Sequence, residues 1–180
     1  MPRTALALAA LLVAAAAPRL SAQTPAAAAG GATPALAVPA PPVDAPDFSG
    51  TWTLDLKASS FGMLPAPTRA SMTVTHAGNA LSYTSDVVGD GKEQQSSASL
   101  TIGGAPFTQT MVGATAVNSA TWDGRGVRFS GVLRTQGAEI PMTTRWTLSP
   151  DGRVLTATRV LSPGGAGDLT VTMVYNKQQP

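Results

Sequence analysis

The chain contains one histidine, His76, and no cysteine. A lone imidazole could act as a general base or ligate haem, and either task needs further groups around it. A Ser-His-acid triad would also call for a nucleophile elbow, and none of the serines stands in one. His76 ends an alternating run beside Ala77-Gly78-Asn79, so an exposed or rim position is expected. The carboxylates are no better placed for acid–base work. Asp90, Asp123, Asp151 and Asp168 fall at turns, while Asp55 and Asp86 fall on an outward phase. Asp90-Gly91 and Asp123-Gly124 read as hairpin chemistry, because the other positions of a calcium loop are missing. Without cysteine there is no thiolate metal site and no disulfide framework. The expectation is a protein that is not an enzyme and carries neither metal nor cofactor.

Binding is the chemistry that remains. Arg159 shares phase with Leu155 and Ala157, so it should point inward or to one end of the structure. A buried guanidinium without a partner is costly. Two roles are open for it: closing an end of the structure, or holding an anionic ligand. Arg128, Arg134 and Arg145 lie on the opposite phase and should form a solvated face. Tyr83, Gln109, Asn118, Thr144 and Tyr175 are polar groups on the inward phase. In a ligand site they would orient a mostly apolar guest, with Phe107, Met111, Phe129, Met142 and Met173 as the wall. The alternative is that they satisfy one another, or a few waters, in a filled core. Ala98, Ala116, Ala120, Gly131 and Ala157 are small inward residues that leave volume unfilled, which favours a cavity.

These positions follow from a period of two. In Asp47-Phe48-Ser49-Gly50-Thr51-Trp52-Thr53-Leu54-Asp55, the residues Phe48, Gly50, Trp52 and Leu54 point one way. Ser49, Thr51, Thr53 and Asp55 point the other. Gly50 lets another backbone come close while the indole of Trp52 fills core volume. Pro65 and Pro67 then rule out a regular helix, and Phe61, Met63 and Leu64 suit a loop lying across an opening. From Arg69 onward the alternation is continuous. It is broken by Gly78-Asn79, Gly89-Asp90-Gly91, Gly103-Gly104, Gly113, Asp123-Gly124, Gln136-Gly137, Pro150-Asp151-Gly152 and the loop Ser162–Gly167. That gives ten strands with turns 10 to 15 residues apart. Short connections make consecutive strands antiparallel partners. An open sheet would leave two edges and an apolar face, with no helix to cover them. Closing the sheet into a barrel removes both problems. A two-sheet sandwich would need long crossovers that this chain lacks.

The barrel is expected over 47–180, and two segments precede it. Met1 to Ala22 reads as a secretory signal peptide, with Arg3, an apolar run Thr4 to Ala17, and Leu20-Ser21-Ala22 before a cut at Gln23. The apolar run has 14 residues, short of the ~20 that span a bilayer. Residues 23–46 are an Ala- and Pro-rich linker expected to be disordered or PPII-like. With Arg3 and Arg19 removed, basic and acidic residues balance at 10 each. A near-neutral mature chain gives no case for nucleic acid. The expected product is a bacterial periplasmic or extracellular monomer with no stable membrane insertion after cleavage. Its function would be to bind a small apolar or amphipathic molecule. The competing expectation is a structural or protein-interaction module of the cell envelope with a filled barrel.

Gly50-Thr51-Trp52 at the head of a ten-strand meander resembles the lipocalin and fatty-acid-binding-protein (calycin) superfamily. Ala120-Thr121-Trp122-Asp123-Gly124, Pro150-Asp151-Gly152 and Val174-Tyr175-Asn176-Lys177 sit where a fatty-acid-binding protein has comparable pieces, and the resemblance runs from Phe48 to Lys177. The opening Asp-Phe-Ser-Gly-Thr-Trp is also similar to that of a group of small exported bacterial proteins without a settled function. The resemblance implies the end-closing role for Arg159, bonding strand carbonyls and stacking on Trp52. Two departures bear on the ligand. A proline-containing loop replaces the two helices of fatty-acid-binding proteins, and Met173 stands where their carboxylate-gripping Arg precedes the final Tyr. Haem barrels of the nitrobindin type also open with Gly-x-Trp, but their ligating histidine comes late in the chain.

Overall fold

The computed structural model describes residues 37–111, 114–135, 137–165 and 167–179, with the side chain of Met111 outside the described set. The expected signal peptide and the expected linker as far as residue 36 lie outside the described residues. Ten strands follow one another: β1 (Gly50–Leu54), β2 (Arg69–Ala77), β3 (Ala80–Gly89), β4 (Lys92–Thr101), β5 (Phe107–Met111), β6 (Ala114–Trp122), β7 (Gly126–Thr135), β8 (Ala138–Leu148), β9 (Val154–Leu161) and β10 (Leu169–Lys177). Each pairs antiparallel with the next, and β1 pairs with β10, so the sheet closes as the alternation predicts. Closure satisfies the hydrogen-bonding edges that an open sheet would expose. Among the described residues no helix is long and apolar enough to cross a membrane.

The hairpins are tight because the turn residues allow it. Between β3 and β4 only Asp90 and Gly91 lie outside the ladder, at φ 51° and 70°. Two successive positive φ values make the turn whose twist matches that of paired strands, and Asp-Gly is a favoured pair for it. Side chains then alternate as predicted. Trp52, Met72, Leu81, Leu100, Val127 and Leu155 are buried, while Thr51, Thr73, Thr75, Ser99 and Arg128 face out. Arg128 and Arg145 both reach the Asp123 carboxylate at 2.7 Å on this outer face. These two hydrogen bonds hold its carboxyl below the usual carboxylate range.

A meander puts its turns alternately at two ends. One end holds the turn after β2, and here the barrel is plugged. Phe48 folds under β1 and is fully buried, and the Trp52 indole N–H donates to its carbonyl at 3.0 Å. His76 lies against both Phe48 and Trp122, at ring-centroid distances of 5.6 and 5.8 Å. The Trp122 indole donates to Asn79 Oδ1 at 2.8 Å, and Asn79 Nδ2 donates to the Pro39 carbonyl at 2.7 Å. Part of 37–46, the described end of the proline-rich segment, is thereby placed against the barrel.

At the other end runs the loop 55–68. Ser60 bridges to Thr172 of β10, and the Thr68 N–H donates to the Val88 carbonyl of β3 at 2.7 Å. The loop divides its apolar residues. Phe61 packs against the core, but Met63 is 84% exposed and Leu64 is exposed too. The expected cover of Phe61, Met63 and Leu64 is therefore reduced to Phe61. The reason is local: Gly62, at φ 58°, turns the chain directly after it.

Candidate functional site

The register of the strands decides where space remains inside. Facing residues on neighbouring strands alternate large with small: Tyr83 with Ala98, Gln109 with Ala116, Asn118 with Gly131, Ala120 with Phe129, and Trp146 with Ala157. A long side chain opposite a small one leaves room above the small one. Gly131 is needed outright, since a Cβ there would overlap the Val117 carbonyl and Asn118 Oδ1. The result is an interior divided by a cluster of rings. Trp146 contacts Phe129 at 5.1 Å and Tyr83 at 5.4 Å between centroids, and Phe107 lies 6.3 Å from Phe129. On one side of Trp146 is Phe48 of the plug, at 6.1 Å. On the other is a cavity in two compartments.

The smaller compartment, about 30 Å³, is lined by Tyr83, Phe107, Gln109, Asn118, Phe129, Met142, Thr144, Trp146 and Arg159. The larger, about 130 Å³, shares Tyr83, Gln109, Trp146 and Arg159 and adds Met173 and Tyr175 from β10. Met72, Ser85, Val87, Ser96 and Ala157 complete its wall. The structure thus brings together Tyr83, Phe107, Gln109, Asn118, Phe129, Met142, Thr144, Arg159, Met173 and Tyr175, and Met111 alone of the candidate set falls outside the described side chains. Sequence reading missed Met72, Ser85, Val87, Ser96 and Trp146 as wall residues. All five stand on the inward phase, so the two-residue period could have found them.

Arg159 is the charged member of this wall. Its Nε donates to Thr144 Oγ1 at 3.2 Å, a consequence of their direct pairing between β9 and β8. No other hydrogen bond and no carboxylate partner engages it among the described residues. It does not close the barrel over Trp52. Lys177 does: its Nζ lies 5.3 Å from the centre of the Trp52 ring. The expected capping role of Arg159 is corrected accordingly. Arg159 sits too far along β9, level with Thr144, whereas Lys177 pairs directly with Trp52. Gly50 makes room for that Lys177 stem, which comes within 2.5 Å of where a Cβ would stand. The close approach predicted at Gly50 is thus made by a side chain rather than by a backbone.

The hydroxyls near Arg159 are held neutral. Burial pushes the Tyr83 phenol up to about 12, with the Arg159 charge acting in the opposite direction. Tyr175 is raised for the same reason and against the same charge, and its hydroxyl approaches Met173 Sδ at 3.6 Å. Gln109 Nε2 donates to Ser96 Oγ at 3.4 Å. Asn118 is 3% exposed and its Oδ1 has no partner among the described residues. The wall therefore offers donors from one guanidinium and two phenols, and apolar surface from methionines and rings.

His76 is not part of this site, and its expected exposure is corrected. Its side chain is 5% exposed within the plug. Nδ1 accepts the Phe48 N–H at 3.4 Å and lies 3.7 Å from Asp47 Oδ1, while Nε2 has no partner among the described residues. The segment before β1 doubles under the strand ends and covers a residue that would otherwise be at the rim. No cluster of three His, Cys, Asp or Glu side chains occurs among the described residues.

A scan against protein-family models and a search of curated proteins found no match. Solved structures do match. One is Rv2717c from M. tuberculosis, with 15% identity and a TM-score of 0.49 over 73% of this chain and 93% of that one. Another is secretory abundant heat soluble protein 4 from Ramazzottius varieornatus, with 13% identity and a TM-score of 0.49 over 74% of this chain and 96% of that one.

Proposed function

We propose that this protein is an exported, monomeric, non-catalytic carrier or sensor that binds a small amphipathic molecule inside its barrel. The observation that carries the reading is the larger compartment, about 130 Å³, whose wall is polar at Arg159, Tyr83 and Tyr175 and apolar at Met72, Val87 and Met173. An apolar cavity of about 150 Å³ is enough to admit benzene. The guest is thus small, nearer a single ring than a fatty acid. Among the described residues the wall's polar groups are donors that hold a guest rather than a histidine or carboxylate. The outer face of Thr, Ser and Arg also differs from the apolar band of a membrane barrel. Export rests on the leader ending at Ala22.

A second reading, a structural module with a filled barrel, draws on the solid plug around Phe48, Trp52 and Ile102, which are fully buried. It also draws on a total cavity well below the ~300 Å³ of ordinary drug-sized pockets. Native mass spectrometry of the protein released from its own cells separates the two. A bound mass of about 100–200 Da, comparable to a single substituted ring, is expected. No adduct, together with failure to bind any of a panel of small amphiphiles, removes the carrier. The same spectrum should show a monomer beginning at Gln23.

A further inference from the structure

Resting on that reading, we infer that the guest is a compact monocarboxylate and that Arg159 is its counter-ion. Arg159 is half-buried, and a guanidinium partly withdrawn from water gains from a partner, because the desolvation of an unpaired charge is costly. Thr144 occupies only the Nε–H of Arg159, which leaves the rest of the planar fork without a partner among the described residues. The structural duty that could have explained the residue, closing the barrel over Trp52, is discharged by Lys177. A planar fork with free donors matches the two oxygens of a carboxylate.

The charge of the guest follows from the inventory of the wall. Among the described residues, Arg159 is the single ionic residue lining either compartment. One positive charge neutralises one negative charge; a dianion such as phosphate would bring a second, uncompensated charge into the barrel. The phenols of Tyr83 and Tyr175 supply neutral donors beside the guanidinium. Asn118 lines the smaller compartment, but its Oδ1 is turned against Gly131 and shut off from the cavity, so it makes no demand on the guest. The body of the guest meets Met72, Val87, Trp146 and Met173 of the larger compartment, so a small aromatic or branched aliphatic acid fits this wall.

Benzoate and its neutral isostere benzamide test the inference on the full-length chain by titration calorimetry. Benzoate is expected to bind at least tenfold more tightly than benzamide, and Arg159→Met is expected to abolish that preference. Equal binding of the two probes by the wild-type protein overturns the carboxylate assignment and leaves the carrier standing. Binding of neither, or of any other small amphiphile, overturns both. Should Arg159→Met fail to fold, the wild-type Arg159 Nε–H resonance decides instead. A shift with benzoate and not with benzamide supports the assignment, and no shift with saturating benzoate overturns it.

Discussion

Gly131 shows how a single missing methyl shapes the interior. The space a Cβ would need is filled by the Val117 carbonyl and by Asn118 Oδ1. Backbone cannot retreat cheaply, so Gly131→Ala should cost about 1–3 kcal/mol of stability in urea unfolding, and should turn Asn118 out of its place. Tyr83 offers a test by pH. Its phenol ionises near 10 in an unfolded chain and at about 12 in the barrel. The folded state therefore keeps a proton that the unfolded state has lost. The associated stability is fully present below pH 10 and drains away as pH rises through about 12. Stability measured across that interval should fall, and the tyrosinate absorbance of the folded protein should lag behind that of the Tyr83→Phe variant plus one free tyrosine. His76, packed between Phe48 and Trp122, is a stability residue. His76→Ala should lose about 1–3 kcal/mol by leaving a void, with benzoate affinity unchanged.

Among the strands, alternation made the inward set readable, since a strand has only two faces and one of them is dry. Arg159, Tyr83 and Asn118 could be placed on the wall without knowing what stood across from them. What could not be read was contact between distant segments. Burial of His76 depends on Phe48, 28 residues earlier, and no local pattern announces that fold-back. The partner of Trp52 was assigned to the wrong cation because the register of β1 against β10 joins the two extremes of the domain. Pairing strength along the barrel is also uneven. Among the described residues β4 and β5 share a single registered pair, Ser97 with Thr110, while β7 and β8 share ten. Ladders with few bonds open at lower cost. Amide exchange should accordingly be faster in β5 than in β7 or β8, and uniform protection would count against the seam.

At the scale of the molecule, the barrel is closed by its first and last strands, and Lys177 of β10 holds Trp52 of β1. Lys177→Met keeps the stem that lies over Gly50 but removes the charge above Trp52. The loss should be about 0.5–1 kcal/mol, read as a lower midpoint of chemical unfolding. Adding salt should weaken the wild type toward the variant only slightly, because the charge rests on a ring face rather than against a carboxylate.

The three tryptophans of the chain are not equivalent. Trp52 and Trp122 belong to the plug and line neither compartment. Trp146 borders both cavity compartments and stacks near Phe129 and Tyr83. Occupancy should therefore be visible as a change in one indole's emission against a constant background from two. The protein carries its own optical gauge, and a search for the natural guest can begin without attaching a dye.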